Sequence, residues 1–140
     1  WIKKEYLKLT DNFESYKIAF PVANGSGKFG ECLSDPFVCG PYCAQNTTFL
    51  CAGNFYTLFE AQSCLKYVKT KFARCMLGIF KVTQHTTREA WRAVPLQNFT
   101  QQSGINWDLS IPELDTALYQ KYNLTQDEID FIESNVSAMQ

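Results

Sequence analysis

Histidine occurs once in these 140 residues, at His85. Without a second histidine, and with no nucleophile paired to a base, nucleophilic catalysis has little to work with. Two acids and a lysine at the close spacing of a metal-dependent nuclease are missing too. No apolar run approaches the length of a membrane span, and no charged-then-apolar signal peptide opens the chain. A membrane partner is therefore not expected, and the location expected is cytoplasmic. The first residue is Trp1 rather than Met, which predicts a piece cut from a longer polypeptide and leaves room for an active site elsewhere in that parent.

Acids are absent over one long stretch. Between Ala61 and Arg88 stand six cations, Lys66, Lys69, Lys71, Arg74, Lys81 and Arg88, and no Asp or Glu. Solvated helix faces usually interleave the two signs as i,i+4 pairs, because like charges at that spacing repel. An acid-free run points to an anionic partner, against the plainer reading of a merely solubilising face. The net charge of −1 hides this division: residues 1–92 hold twelve Lys or Arg against seven acids, and residues 93–140 hold one Lys against seven acids.

The cationic run lies in TLFEAQSCLKYVKTKFARCMLGIFKVTQ, Thr57 to Gln84. Thr57 and Glu60 form a capping box, and neither Gly nor Pro interrupts before Gly78, so the run predicts one long helix. Leu58, Ala61, Leu65, Val68, Phe72, Cys75 and Ile79 recur at spacings of three and four and define a buried face. Lys66, Thr70, Arg74 and Lys81 project from roughly the opposite side. Lys69 and Lys71 fall nearly opposite one another, so both cannot meet one flat surface, and one of them is expected to pair internally or face solvent.

Composition, 46% hydrophobic and 15% aromatic, argues for an ordinary globular core. The six cysteines (Cys32, Cys39, Cys43, Cys51, Cys64, Cys75) and triplets such as Asn46-Thr47-Thr48 and Asn98-Phe99-Thr100 suit a secreted protein. Cys64 and Cys75, however, lie eleven residues or about 16 Å apart along the predicted helix and cannot bridge each other. Reduced thiols in a cytosolic protein are the expectation. A zinc site from Cys39, Cys43, Cys51 and His85 fits no standard spacing.

Upstream, Tyr16–Val22 reads as a strand ending near Pro21, and Phe37–Gly40 and Thr47–Ala52 as two more. Gly25, Gly27 and Gly30 spell GxGxxG, but Ser34-Asp35-Pro36 follow instead of a helix, and Lys28 precedes Phe29 rather than Ser or Thr. Neither a dinucleotide nor a P-loop site is predicted. A loop whose backbone amides, with Asn24, Ser26 and Lys28, approach a polyanion stays open beside a plain connection. Beyond the helix, Gln84, His85, Thr86, Thr87 and Arg88 form a polar segment of side chains that donate to bases or phosphates. WRAVPL, Trp91 to Leu96, reads as a last strand. Capping boxes at Ser110/Glu113 and Thr125/Glu128 open two small helices expected to form a hairpin.

YKIAFPVANGSGKFGE, the long-helix segment and WRAVPLQNF together resemble the region that follows the catalytic domain in bacterial N6-adenine DNA methyltransferases of restriction–modification systems, including fused methylase–endonuclease enzymes. The tail LYQKYNLTQDEIDFIES is similar to the end of the same proteins. The resemblance spans nearly the whole chain. It implies a target-recognition domain that positions duplex DNA while a catalytic domain flips out an adenine, and it implicates Asn24–Lys28, Lys69-Thr70-Lys71-Phe72 with Arg74, Thr83-Gln84 and His85 to Arg88. The linker QSGINWDLSIPELD is longer than in the shortest family versions.

The methylase motifs, a glycine-rich S-adenosylmethionine loop and an Asn-Pro-Pro-Tyr-type motif, are lacking here. The fragment alone is expected to be inert, with no cofactor or metal of its own and S-adenosylmethionine belonging to the parent's catalytic domain. The fold expected is α+β: a small mixed or antiparallel sheet packed on one long helix, with a C-terminal helical hairpin. Residues 1–104 would form the recognition domain, and 105–140 an acidic tail packing on it or on the parent. Lys66, Lys69, Lys71, Arg74 and Lys81 would meet phosphates. Gln84, His85, Thr87, Arg88 and Asn24 would read bases. The alternative is a protein-interaction module that docks an acidic partner or the catalytic domain. A nuclease with an unfamiliar site is a third reading.

Overall fold

A computed structural model describes all residues except 1, 2, 7, 8, 24, 45, 82, 84–86 and 140. The fold is α+β. Three antiparallel strands, β1 (Tyr16–Pro21), β2 (Phe37–Cys39) and β3 (Phe49–Phe55), form a sheet in the order β2-β1-β3. Ile18 faces Val38 on one side and Ala52 on the other, with an irregularity in the β1–β3 register between Tyr16 and Ile18. β1 is central and nearly all apolar. Its one charge, Lys17, is fully buried, and the ammonium donates to the carbonyls of Asn12 (2.9 Å), Ser15 (3.2 Å) and Gly40 (3.4 Å). Three acceptors offset the desolvation of that cation.

The predicted long helix is two helices, α1 (Leu58–Lys69) and α2 (Lys71–Phe80). The Thr57/Glu60 capping box opens α1 as expected. The break falls at Thr70, whose backbone is extended (φ −62°, ψ 151°). Its N–H still closes α1 on the Tyr67 carbonyl, while its hydroxyl oxygen accepts from the Ala73 amide at 3.1 Å. Thr70 is thus the last residue of one helix and the N-cap of the next. The remaining orphan amides, of Lys71 and Phe72, donate to the buried carboxylate of Asp115 at 3.1 and 2.9 Å. A partner 44 residues away in sequence makes the break permissible.

The break also changes the buried face. Ala61, Val68, Phe72 and Cys75 are buried as predicted, whereas Leu58 and Ile79 at the two ends are exposed. WRAVPL is not a strand. Thr87 caps a short helix, α3 (Arg88–Trp91), and Trp91 lies against Phe20 at 5.1 Å between ring centroids. The two capping boxes near the C-terminus open α4 (Ile111–Lys121) and α5 (Gln126–Asn135).

α4 packs against α1 and α2, and α5 against α2. Leu114, Leu118, Ile132 and Val136 share one core with Ile18, Phe20, Tyr67 and Phe72. The segment before α4 is part of that core: Phe99, Ile105 and Trp107 are buried, and Trp107 donates its indole N–H to the Asn98 carbonyl at 3.0 Å. Tyr67, Phe99 and Trp107 form a three-ring cluster, with Phe99 5.1 Å from Trp107.

Replacing Asp115 with Ala leaves two buried amides without acceptors. The expected cost is about 1–3 kcal/mol for each amide, read as a lower urea midpoint, with Ser110→Ala at the exposed α4 cap costing about 1 kcal/mol. Equal losses for the two variants would contradict the role given to Asp115.

Candidate nucleic-acid interface and its internal anchors

The cations of the acid-free run do not form an open ridge. Arg74 is 2% exposed. Its guanidinium donates to main-chain carbonyls on three sides: Lys69 (3.2 Å), Glu31 (3.3 Å, with Gly30 at 3.5 Å) and Ser137 (2.5 Å). Burial lowers its pKa from the usual arginine value, and nearby groups including Cys32, Asp115 and Tyr119 act against that shift. Lys66 donates to the carbonyls of Trp107 (2.9 Å), Asp108 (3.4 Å) and Leu109 (3.1 Å), and so fastens the turn that leads into α4. Lys71 pairs with the Glu133 carboxylate at 2.5 Å. Lys81 is buried and pairs with Glu31. Lys69 is half-buried.

This corrects the expectation that Lys66, Lys71, Arg74 and Lys81 face a partner's phosphates. Two causes combine. The break at Thr70 redirects α2, and residues 30–31 together with the tail bring carbonyls and carboxylates against the helices. Lys71 pairs internally, as one branch of the sequence reading required.

Exposed polar residues remain at two loops. Ser26 and Lys28 are exposed in the glycine-rich loop, and Thr87 and Arg88 are exposed where α3 begins. Lys28 and Arg88 have no ion pair among the described residues. Asn24, Gln84 and His85 lie outside the described residues.

Glu31 links the two regions. Its Oε2 accepts from the Ser26 amide (2.7 Å) and the Ser26 hydroxyl (3.1 Å). Its Oε1 accepts from the Gly27 amide (3.0 Å) and from Lys81 Nζ. The glycine-rich loop and the C-terminal end of α2 thereby share one carboxylate. Burial alone would push the Glu31 pKa up. The Lys81 contact and the two loop amides outweigh it and hold the carboxyl at about 2. Sequence reading missed Glu31; the only available signal was an acid immediately after the third glycine of GxGxxG.

The six cysteines carry no disulfide bond. Among the described residues, no group of three or more His, Cys, Asp or Glu could hold a metal ion, and no helix is long and apolar enough to cross a membrane. A cavity of about 530 Å³, lined by Phe20, Phe55, Tyr67, Val68, Trp91 and Phe99, lies between the sheet, α1 and the 94–100 segment. The Trp91 indole N–H is buried with no acceptor among the described residues. What this arrangement offers chemically is a set of donors gathered around one carboxylate. Comparison with family models, curated proteins and solved structures finds no match to the chain.

Two outcomes follow from these anchors. Arg74→Glu would set a carboxylate against buried carbonyls and is expected to destabilise the fold by about 3–5 kcal/mol, measured by urea unfolding; an unchanged midpoint would place that side chain outside. Glu31, with its pKa lowered in the folded state, contributes stability that is present above pH 4.5 and lost as pH falls through about 2. Wild type is therefore expected to lose on the order of 1–3 kcal/mol across that window that Glu31→Gln does not lose, read from unfolding curves at successive pH values.

Proposed function

We propose that this chain binds double-stranded DNA in a sequence-specific manner, as the target-recognition part of an adenine-specific methyltransferase or fused methylase–endonuclease of a restriction–modification system. The contact surface in this reading is the pair of loops 24–28 and 83–88, not the helical run between them. The observation that carries it is the shared Glu31 carboxylate, which ties the glycine-rich loop to the end of α2, where the polar segment begins. Lys28 and Arg88 are the cations left available for phosphates, with Ser26 and Thr87 beside them as donors. Arginine also matches guanine edges bidentately, and Asn or Gln matches adenine, which is the part assigned to Arg88, Asn24 and Gln84. Catalysis and S-adenosylmethionine belong to the parent's catalytic domain.

One observation favours the protein-docking alternative. Phe29 and Phe131 lie 5.7 Å apart with both rings exposed, at 38% and 51%. Such an exposed pair, with Phe29 next to Lys28 in the chain, suits contact with the catalytic domain.

The test is a titration of a labelled duplex at several salt concentrations. Lys28→Ala and Arg88→Ala are each expected to weaken binding and to lower the salt slope by about 1. Lys66→Met, which reaches only internal carbonyls, should alter stability before affinity. A folded chain with no salt-dependent duplex binding would remove the DNA reading and leave the docking one.

A further inference from the structure

The glycine-rich loop is shaped around an oxyanion. Gly25 and Gly27 both have left-handed backbones, φ 72° and 87°, and between them the Ser26 and Gly27 amides turn toward one point. Consecutive amides converging in this way form a nest for negative charge. A Cβ added to Gly25 would lie 2.3–2.5 Å from the carboxylate atoms of Glu31, so the space at residue 25 belongs to the anion. Each carboxylate oxygen has two donors: Oε2 takes the amide and hydroxyl of Ser26, and Oε1 takes the Gly27 amide and the Lys81 ammonium. Behind the cradle, Arg74 and the Ser137 amide hold the Gly30 and Glu31 carbonyls, which keeps the base of the loop in place.

Two amides, a hydroxyl and an ammonium, arranged as two donors to each of two oxygens, also match the two non-bridging oxygens of a phosphodiester. The present occupant is a side chain that is 18% exposed, so the cradle opens to solvent on the Glu31 side. Lys81 is 5% exposed and lies on the inner side. Without the carboxylate, the Lys81 ammonium and the Ser26 and Gly27 amides would each lose an acceptor.

We infer that this cradle is a phosphate-binding site held closed by Glu31, an internal carboxylate that a DNA backbone phosphate displaces. The identity of the incoming phosphate rests on the function proposed above; the oxyanion site does not. Exchange of one anion for another at the same four donors adds a phosphate contact that the closed loop lacks, and it leaves the Glu31 charge outside the cradle.

The experiment compares wild type with Glu31→Ala, titrating inorganic phosphate against sodium chloride of equal ionic strength while following the Ser26 and Gly27 amide resonances. In the variant, those resonances are expected to move saturably and the melting temperature to rise with phosphate, with neither change in wild type over the same range. Duplex affinity is expected to increase about tenfold, the worth of one uncovered charge-assisted contact. Adding Lys81→Met should abolish both gains. Where Ala loosens the loop, Glu31→Gln keeps an acceptor for the amides and is expected to move the same readouts by less. A folded variant whose Ser26 and Gly27 amides ignore phosphate overturns the site. Phosphate-dependent shifts without any gain for the duplex keep the oxyanion site and overturn the DNA reading.

Discussion

A stretch of chain that holds six cations and no acid cannot neutralise itself. Within a helix the available partners are three or four residues away, and from Ala61 to Arg88 those positions offer none. Burial sharpens the requirement, since an unpaired charge removed from water costs far more than a solvated one. Four cations of the run, Lys66, Lys71, Arg74 and Lys81, therefore reach across the fold. Arg74 takes carbonyls from residues 30–31 and 137, Lys66 from 107–109, Lys71 takes Glu133 and Lys81 takes Glu31. Across the charge division between the first two-thirds of the chain and the tail, Lys71 pairs with Glu133. The tail is not an appendage: its helices and the segment before them enclose the same core as the sheet.

The same requirement organises the loops. Lys81, at the end of α2, needs an anion, and Glu31 supplies it from beside the glycine-rich loop. That pairing brings together two segments that sequence alone leaves 55 or so residues apart, roughly the separation of Ser26 from Lys81. It also spends the loop's amides on an internal carboxylate. A glycine-rich loop that binds an anion is thus what the structure contains, with the anion drawn from the chain itself.

Local signals were legible wherever they were short-range. The capping boxes at Thr57, Ser110 and Thr125 specify three helix starts through hydrogen bonds spanning three residues, and short β-prone runs bounded by turn residues mark the strands from Tyr16, Phe37 and Phe49. The break at Thr70 was not legible, because the residues before and after it are good helix formers and the carboxylate that satisfies the second helix is Asp115. WRAVPL misled for a related reason: its β-prone composition is overridden by the Thr87 cap and by the packing of Trp91 on Phe20. Cation placement went astray because a helical wheel assigns polar residues to solvent, whereas Arg74 and Lys81 are buried with their acceptors.

By itself the sequence determined the α+β class, the positions of the strands and capped helices, the acid-free run and the glycine-rich loop, since each is written in neighbours within a turn or a strand. Only the tertiary structure decided where the charges point. Their partners, Glu31, Asp115, Glu133 and the carbonyls near residues 107 and 137, lie 41 to 63 residues from the charges and helix amides they satisfy across the fold. Electrostatic satisfaction at that range depends on which surfaces the apolar core presses together, and no local pattern encodes it.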